Sequence, residues 1–205
     1  MIEYEEKDQN PQSTKTPPKI KFGSGFHSFQ CFTHEQVKEI NKTIDKNIFK
    51  KNIFEEQPAH MAAQGVSKKG EFFHIPCSLL LELLHPWLYQ CQIINKEKIG
   101  YDIDWDFHVD ALTYNVYDSK KQGEYDWHID YNFYIMSDVK LTCLLNLSEE
   151  PYEGGEFHMI NSKENIKFTS GMAVVFNSLI AHKVAPVTKG KRISLTYAAH
   201  GPTWR

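Results

Sequence analysis

The stretch Tyr-Asp-Trp-His-Ile-Asp, residues 125–130, places an imidazole and a carboxylate two positions apart. Side chains two positions apart in a β-strand project from the same face of a sheet, so His128 and Asp130 point into one space. His182 comes much later in the chain and can reach that space from a strand across the sheet. Two histidines and one carboxylate on one face of an octahedron form the facial triad of non-haem Fe(II), which leaves positions open for a chelating cosubstrate and O₂.

Arg192 follows His182 by ten residues and opens the run Arg-Ile-Ser-Leu-Thr-Tyr-Ala, which predicts a strand. Ser194 then shares a face with Arg192, and a guanidinium beside a hydroxyl can clamp a carboxylate in a bidentate manner. A 2-oxo diacid such as 2-oxoglutarate offers a 2-oxo acid group for the iron and a far carboxylate for Arg192. The chain contains only two arginines, Arg192 and Arg205, which favours a specific use of the guanidinium at this position.

The residues around this constellation resemble the 2-oxoglutarate/Fe(II) dioxygenases, in particular the prolyl 4-hydroxylase-like branch. Residues 154–157, Gly-Gly-Glu-Phe, resemble the strand start of that branch, and residues 176–195 match its C-terminal half almost position by position. The resemblance covers residues 105–203. Its Tyr…Gly…Tyr…His-x-Asp signature is matched by Tyr117, Gly123, Tyr125, His128 and Asp130.

Two positions depart from the pattern of the branch. Tyr117 lies about two residues further from the histidine than is usual, and Arg192 stands where the collagen-type prolyl hydroxylases have a lysine. The second departure argues against a collagen-like substrate.

The resemblance implies a fold and an activity. The fold is a double-stranded β-helix, or jelly roll, which is mainly β with supporting helices on one side. The activity is hydroxylation of a C–H bond with Fe(II), 2-oxoglutarate and O₂, with ascorbate as a possible external reductant. The substrate is a prolyl or other residue of a protein or peptide, or a free amino acid, and the reaction releases succinate and CO₂. No catalytic residue beyond the metal site is expected, because the iron carries the chemistry.

Further roles are predicted for three side chains. Tyr117 is expected to donate a hydrogen bond to the cosubstrate carboxylate. Tyr125 is either a packing aromatic residue or a substrate contact, and His158 is expected to line the pocket on the substrate side.

Other ligand sets remain open at this point. The chain contains a second His-x-Asp, His108-Val109-Asp110, but the tyrosine and glycine lead-in favours the pair at residues 128 and 130. His158 is a rival third ligand, although no arginine follows it by ten residues. Two other protein classes also remain: a non-catalytic metal-binding β-barrel, used as a sensor or scaffold, and a non-oxidative cupin-type metalloenzyme that uses further histidines.

Composition and charge limit the number of domains, the binding partners and the cellular location that can be expected. A chain of 205 residues with 41% hydrophobic and 13% aromatic residues is typical of one folded domain. A net charge of −3 and a pI near 6.4 predict no binding to nucleic acid or anionic membranes, and no apolar run has the length of a membrane span. The N-terminus is acidic and the four cysteines lack CxxC spacing, so we expect free thiols and a cytoplasmic location. Nothing in the sequence predicts an oligomeric state.

We expect a flexible tail over residues 1–20 and a single domain over residues 21–205. Within this domain, residues 33–95 are expected to supply helical support and residues 105–203 to form the jelly-roll core. The first helix is predicted from a capping box at Thr33-His34-Glu35-Gln36, and its apolar stripe consists of Val37, Ile40, Ile44 and Ile48. A second helix is predicted with Ser78 as its cap and a kink or stop at Pro86.

Short apolar segments bounded by turn residues predict the strands of the core. Their predicted ranges are 106–117, 140–147, 155–160, 171–177 and 192–198, with a further short strand between residues 20 and 32. The basic turn Lys68-Lys69-Gly70 is expected to be solvated surface.

Overall fold

The computed structural model describes residues 25–58, 66–107, 110–130, 138–160, 162, 166 and 168–203. The predicted tail over residues 1–20 lies outside the described residues, as does His108 of the second His-x-Asp.

The first helix, α1, spans His34–Ile44 and continues as one turn of wider π geometry over Asp45–Phe49. Its start is the predicted capping box: the Gln36 amide donates to the Thr33 hydroxyl, and the Thr33 amide donates to the Gln36 side chain. All four members of the predicted apolar stripe are no more than 2% exposed. The prediction of this helix is confirmed.

The second helix, α2, spans Leu81–Ile94, and two details of its prediction were wrong. Ser78 lies in a separate 3₁₀ turn and is not the cap, since the N-cap position is Leu80. The helix also continues past Pro86, so the expected stop is wrong, while the kink stays a prediction. A proline inside a helix costs about 3 kcal/mol, whereas each fully buried large apolar side chain contributes about 1.5–3 kcal/mol. Leu84 and Trp87, on either side of Pro86, are both fully buried, so packing outweighs the lost hydrogen bond.

The strands form two main antiparallel sheets and one small pair. The large sheet has seven strands in the order β1-β10-β7-β13-β5-β4-β2, the second has four in the order β3-β6-β11-β9, and β8 pairs with β12. The strands are β1 (Phe26–Gln30), β2 (Glu55–Gln57), β3 (Lys68–Lys69), β4 (Glu71–Pro76), β5 (Ala111–Asp118), β6 (Glu124–His128), β7 (Asp138–Asn146), β8 (Glu153–Gly154), β9 (Phe157–Met159), β10 (Met172–Asn177), β11 (His182–Val184), β12 (Val187–Lys189) and β13 (Lys191–Gly201).

The large sheet is buried on both faces, and strand β7 shows how its two faces differ. All nine residues of β7 are buried, and successive side chains point to opposite faces. Leu141, Cys143 and Leu145 belong to the core beneath the two helices. Leu144 belongs to the second core, between the two sheets, and Thr142 points the same way. The site described below lies in this second core.

Two strand predictions were corrected by tertiary contacts. Strand β5 begins at Ala111 rather than at residue 106, and before it Trp105 and Phe107 pack on the ring of Tyr197, with centroids 6.0 and 5.4 Å away. At the expected solvated turn Lys68-Lys69-Gly70, the two lysines instead form the edge strand β3, and Gly70 is the bend that leads to β4. Packing on Tyr197 explains the late start of β5, and pairing with β6 explains why the two lysines form a strand.

All four cysteines are free thiols, as predicted, and three of them are buried. Within the described residues, no helix has both the length and the apolar character that crossing a bilayer requires.

Substituting aspartate for Ile44 should destabilise the whole domain, because the side chain is 1% exposed and would bury an unpaired carboxylate. Such burial costs several kcal/mol against a total stability of about 5–15 kcal/mol. Urea unfolding should show a large loss of stability for Ile44→Asp and little change for Lys38→Asp, at an exposed position of the same helix. Equal stability of the two variants would contradict the burial of this face.

Candidate metal centre and cosubstrate pocket

The pairing of β6 with β11 brings the two predicted histidine ligands together. His128 and His182 are direct Cα partners across the two strands. Asp130 follows β6, and its amide donates to the Ser178 carbonyl at 2.9 Å. The Nε2 atoms of His128 and His182 lie 3.5 and 3.4 Å from the two carboxylate oxygens of Asp130. One potential ligand atom from each residue therefore lies within 4.8 Å of the others.

Backbone carbonyls fix the orientation of both imidazoles. Nδ1 of His128 lies 2.7 Å from the Asp126 carbonyl oxygen, and Nδ1 of His182 lies 2.9 Å from that of Ile180. A carbonyl oxygen only accepts, so each Nδ1 carries the proton and each Nε2 presents its lone pair to the shared space. This is the tautomer that a metal ligand requires.

The protonation states of the cluster suit a divalent cation. Burial lowers the pKa of His182 below its usual value, even though Asp130 opposes the shift. Burial by itself would raise the pKa of Asp130, but His182, His128 and a hydrogen bond from Thr142 together hold it well below its usual value. At neutral pH His182 is therefore neutral and Asp130 is ionised.

Thr142 is a member of this site that sequence reasoning missed. Its hydroxyl donates to Oδ2 of Asp130 at 2.6 Å from strand β7. The only sequence signal is a single hydroxyl in the apolar run Leu-Thr-Cys-Leu-Leu, residues 141–145. The hydrogen bond fixes the carboxylate, which is 26% exposed, in the rotamer that faces both histidines.

Arg192 is 1% exposed and lines the same cavity as the cluster of His128, Asp130 and His182. Its Nη1 donates to the Ser194 hydroxyl at 3.2 Å, while Nε and Nη2 have no hydrogen-bond partner among the described residues. The guanidinium carbon lies 5.3 Å from the ring centre of Tyr117 and 5.1 Å from that of Phe168. Leaving buried donors of a charged group unpaired is costly, so the arrangement fits a carboxylate ligand.

Glycines allow the chain to pass close to Arg192. Gly154 and Gly155 have φ angles of +74° and +66°, which favour glycine. A Cβ on Gly155 would lie 3.1 Å from Cδ of Arg192, and one on Gly154 would meet the Pro186 carbonyl oxygen at 2.3 Å. The Gly-Gly pair is therefore required for the backbone to pack beside the guanidinium.

The metal cluster and Arg192 line one cavity of about 140 Å³. Tyr117 is 4% exposed, and burial raises its pKa to about 12, so its hydroxyl keeps its proton. The ring of Tyr125 stacks on that of His128, with centroids 3.4 Å apart. The cavity is lined by Lys68, Thr113, Asn115, Tyr117, Tyr125, His128, Asp130, Leu144, Phe157, His182, Val184, Arg192, Ser194 and Thr196.

Two other residues considered from the sequence, His158 and Asp110, lie outside the metal cluster. His158 pairs with Lys183, whereas its neighbour Met159 pairs with His182, so His158 faces away from the cavity that it was expected to line. Asp110, of the rival His-x-Asp pair, instead accepts a hydrogen bond from the Tyr197 hydroxyl at 2.5 Å. Among the described residues, only the cluster at positions 128, 130 and 182 has the geometry of a metal site.

Comparison with known proteins agrees with this arrangement. Residues 112–200 match the model of the 2OG-Fe(II) oxygenase superfamily. A PKHD-type hydroxylase of Janthinobacterium sp. is 30% identical over 183 residues, which cover 82% of this chain and 74% of the relative. A PKHD-type hydroxylase of Shewanella frigidimarina is 38% identical over 81 residues, and this match spans only 35% of each protein.

Solved structures show the same fold. A prolyl hydroxylase from Trichoplax adhaerens, in complex with a hypoxia inducible factor peptide fragment, has a TM-score of 0.65 and 16% identity, and covers 84% of this chain and 82% of its own. The viral collagen prolyl hydroxylase of Paramecium Bursaria Chlorella virus-1, in a 2OG complex, has a TM-score of 0.64 and 14% identity, with coverages of 86% and 96%. The predicted double-stranded β-helix with flanking helices is confirmed.

Fold and cavity together define an oxygenase of the double-stranded β-helix type, and the relatives specify it further. The chain belongs to the 2OG-Fe(II) oxygenase superfamily, and its fold is that of the prolyl 4-hydroxylase-like branch. The predicted enzyme class, a 2-oxoglutarate-dependent hydroxylase, is thereby confirmed.

Replacing Thr142 with valine should weaken metal binding while leaving the fold intact, because valine keeps the shape but removes the donor to Asp130. Loss of such an outer hydrogen bond typically costs about 10–100-fold in metal affinity. Mn(II) titration of the purified protein measures the effect, and Thr142→Ser, which retains the hydroxyl, is the matched control. If Thr142→Val binds Mn(II) as tightly as Thr142→Ser, the hydroxyl has no role in holding the ligand.

Proposed function

We propose that the protein hydroxylates a C–H bond of an amino-acid residue in a peptide or protein, such as a prolyl residue, or of a free amino acid. In the balanced reaction, O₂ supplies one oxygen atom to the new hydroxyl group and one to succinate, and 2-oxoglutarate loses CO₂. The observation that carries this proposal is a buried guanidinium with unpaired donors in the same cavity as a two-histidine, one-carboxylate cluster.

His128, Asp130 and His182 are proposed to hold Fe(II). The two Nε2 lone pairs and a carboxylate oxygen face one space, and such a nitrogen and oxygen donor set suits Fe(II). Bound iron supplies the oxidising chemistry with 2-oxoglutarate and O₂, so the chain needs no acid or base of its own. Ascorbate is proposed as an external reductant for the iron.

Arg192, Ser194 and Tyr117 are proposed to bind the far carboxylate of 2-oxoglutarate. Nε and Nη2 of Arg192 offer two unpaired donors, and the Ser194 hydroxyl beside Nη1 can donate its own proton. Tyr117 keeps its phenolic proton because its pKa is about 12, and its ring lies beside the guanidinium. These groups fix the cosubstrate, and the apolar cavity residues Leu144 and Phe157 limit access of water to it.

Tyr125 is proposed to be on the substrate side, since its ring lies against His128 and lines the cavity. The Trichoplax prolyl hydroxylase, which is similar in fold, binds a peptide fragment, and this supports a peptide substrate here. A cytoplasmic location is proposed as well, and the four free thiols support it.

The two alternative classes have less support. A cupin-type site uses further histidines, but His128 and His182 are the only histidines among the described residues that line the cavity. A non-catalytic metal-binding barrel has no use for a buried guanidinium with unpaired donors.

Removing a metal ligand should abolish both metal binding and turnover. Asp130→Ala and His182→Ala should each lose Mn(II) binding and Fe(II)-dependent succinate release, while circular dichroism remains unchanged, because each deletes a ligand atom from a cluster of three. His158→Ala, on the opposite face of the same sheet, is the control and should bind Mn(II) normally. Normal Mn(II) binding by either ligand variant would place the metal elsewhere.

Replacing Arg192 with alanine should raise the 2-oxoglutarate requirement well over tenfold and leave Mn(II) affinity nearly unchanged. Truncating one partner of a desolvated charge pair costs about 2–5 kcal/mol. Arg192→Lys should recover only part of the affinity, because an ammonium is a point charge and cannot form the bidentate fork. Calorimetric titration of Mn(II)-loaded protein with 2-oxoglutarate measures both variants, and an unchanged affinity in Arg192→Ala would exclude the assigned role.

A further inference from the structure

Lys68 lies in the cavity because of the way strand β3 is attached to β6. Lys68 is the Cα partner of Tyr125, and Lys69 is the partner of Glu124. Lys69 forms a salt bridge with Glu124 at 2.8 Å, and the Ser67 hydroxyl donates to the same carboxylate at 2.8 Å. Since successive strand residues point to opposite faces, these contacts hold Lys69 outside and direct Lys68 inward.

The Lys68 ammonium has aromatic neighbours, and within the described part of the chain it forms no salt bridge. Its Nζ lies 4.0 Å from the ring centre of Phe72 and 4.9 Å from that of Tyr125. Burial lowers its pKa, and the charge of Asp130 opposes that shift, which places the two groups in one electrostatic environment. No carboxylate among the described residues forms a salt bridge with Lys68. A partly desolvated cation without a counter-ion is a binding site for an anion.

The charges of the proposed complex leave this cation unbalanced. Fe(II) carries two positive charges and 2-oxoglutarate two negative charges, and Arg192 and Asp130 cancel each other. The charges assigned to the metal and the cosubstrate therefore sum to zero, and the positive charge of Lys68, which lines the same cavity, is not cancelled. Both carboxylates of 2-oxoglutarate already have partners in the proposed function, one at the metal and one at Arg192. The remaining positive charge is therefore available to the substrate.

We infer that Lys68 binds a carboxylate of the substrate beside the metal centre, so that this hydroxylase acts on a carboxylate-bearing amino acid or peptide. The inference rests on the proposed function and narrows its substrate class. The carboxylate comes either from the free α-carboxyl group of an amino acid or from an acidic side chain next to the modified residue. Tyr125, which contacts both the Lys68 ammonium and the His128 ring, places this charge next to the reacting centre.

Binding of matched acid and amide probes tests the inference without turnover. Protein loaded with Mn(II) and 2-oxoglutarate, kept free of O₂, is titrated with N-acetyl amino acids and with the corresponding N-acetyl amino-acid amides. A second series compares amidated peptides in which glutamate or glutamine flanks proline. Relaxation of probe protons by Mn(II) reports binding close to the metal, and Zn(II)-loaded protein gives the diamagnetic reference. The first series detects an α-carboxylate, and the second detects an acidic side chain.

We expect wild-type protein to bind the acid form of at least one pair about tenfold more tightly than its neutral form. Lys68→Met should abolish that difference, Lys68→Arg should keep much of it, and Lys69→Met, the neighbouring outward-facing position, should keep all of it. Melting temperatures of the three variants should stay close to that of the wild type, since methionine keeps an unbranched apolar stem and removes only the charged group that lies over Phe72.

Three results would overturn the inference. The first is the absence of any acid preference in the wild type, and the second is an acid preference that survives in Lys68→Met. The third is a loss of 2-oxoglutarate affinity in Lys68→Met, which would assign the lysine to the cosubstrate and leave the proposed function standing. Failure of the wild type to bind Mn(II) and 2-oxoglutarate would instead count against the proposed function itself.

Discussion

The antiparallel pairing of β6 with β11 is the constraint on which the site depends. His182 pairs with His128, and Val184 pairs with Tyr125, so β6 uses one residue more than β11 between these two pairs. A bulge of this kind allows side chains three positions apart in one strand to face the same side. Tyr125 and His128 consequently both face the cavity and stack on each other, while Trp127 between them is 42% exposed. A different register would separate the two imidazoles.

Polar groups in the second core fit a role in ligand binding better than a role in stabilising the fold. Asp130 accepts a hydrogen bond from the Thr142 hydroxyl and lies beside two imidazoles. Arg192, by contrast, is only 1% exposed, and its Nε and Nη2 have no hydrogen-bond partner among the described residues. A core selected for stability alone would replace such a cation with an apolar residue of similar size. Asn115, which also lines the cavity, is satisfied: its amide donates to the Thr196 hydroxyl at 3.0 Å and to the Thr113 carbonyl at 3.1 Å. Among the described residues that line the cavity, Arg192 is the only one with fully buried side-chain donors that lack a hydrogen-bond partner.

The sequence predicted the features that depend on local periodicity or on spacing along one strand. The capping box and stripe of α1, the two-residue spacing of His128 and Asp130, and the offset from His182 to Arg192 all belong to this group. These patterns involve residues close together in the chain, so they can be recognised in a single sequence without an alignment.

Features that depend on packing between distant elements could not be predicted in the same way. Pro86 is tolerated because of the burial on both sides of it, and β5 starts late because Trp105 packs on a distant tyrosine. His158 faces outward because of its partner in the neighbouring strand, and the role of Thr142 depends on a carboxylate twelve residues away. Each of these outcomes depends on a contact partner that cannot be identified from the local sequence.

The two cations of the cavity differ in a way that suits two different ligands. Arg192 is nearly fully buried, donates a hydrogen bond to Ser194 and lies near the rings of Tyr117 and Phe168. These contacts hold its planar guanidinium in one orientation. A cosubstrate of fixed shape matches such a preorganised partner, because little conformational freedom is lost on binding. Lys68 has a stem with several rotatable bonds on an edge strand and three rotatable donors, and its contacts with other described residues are to aromatic faces. An ammonium on such a stem can adapt to a carboxylate whose position varies with the substrate. The preorganised guanidinium of Arg192 therefore suits the constant ligand, and the adaptable ammonium of Lys68 suits the variable one.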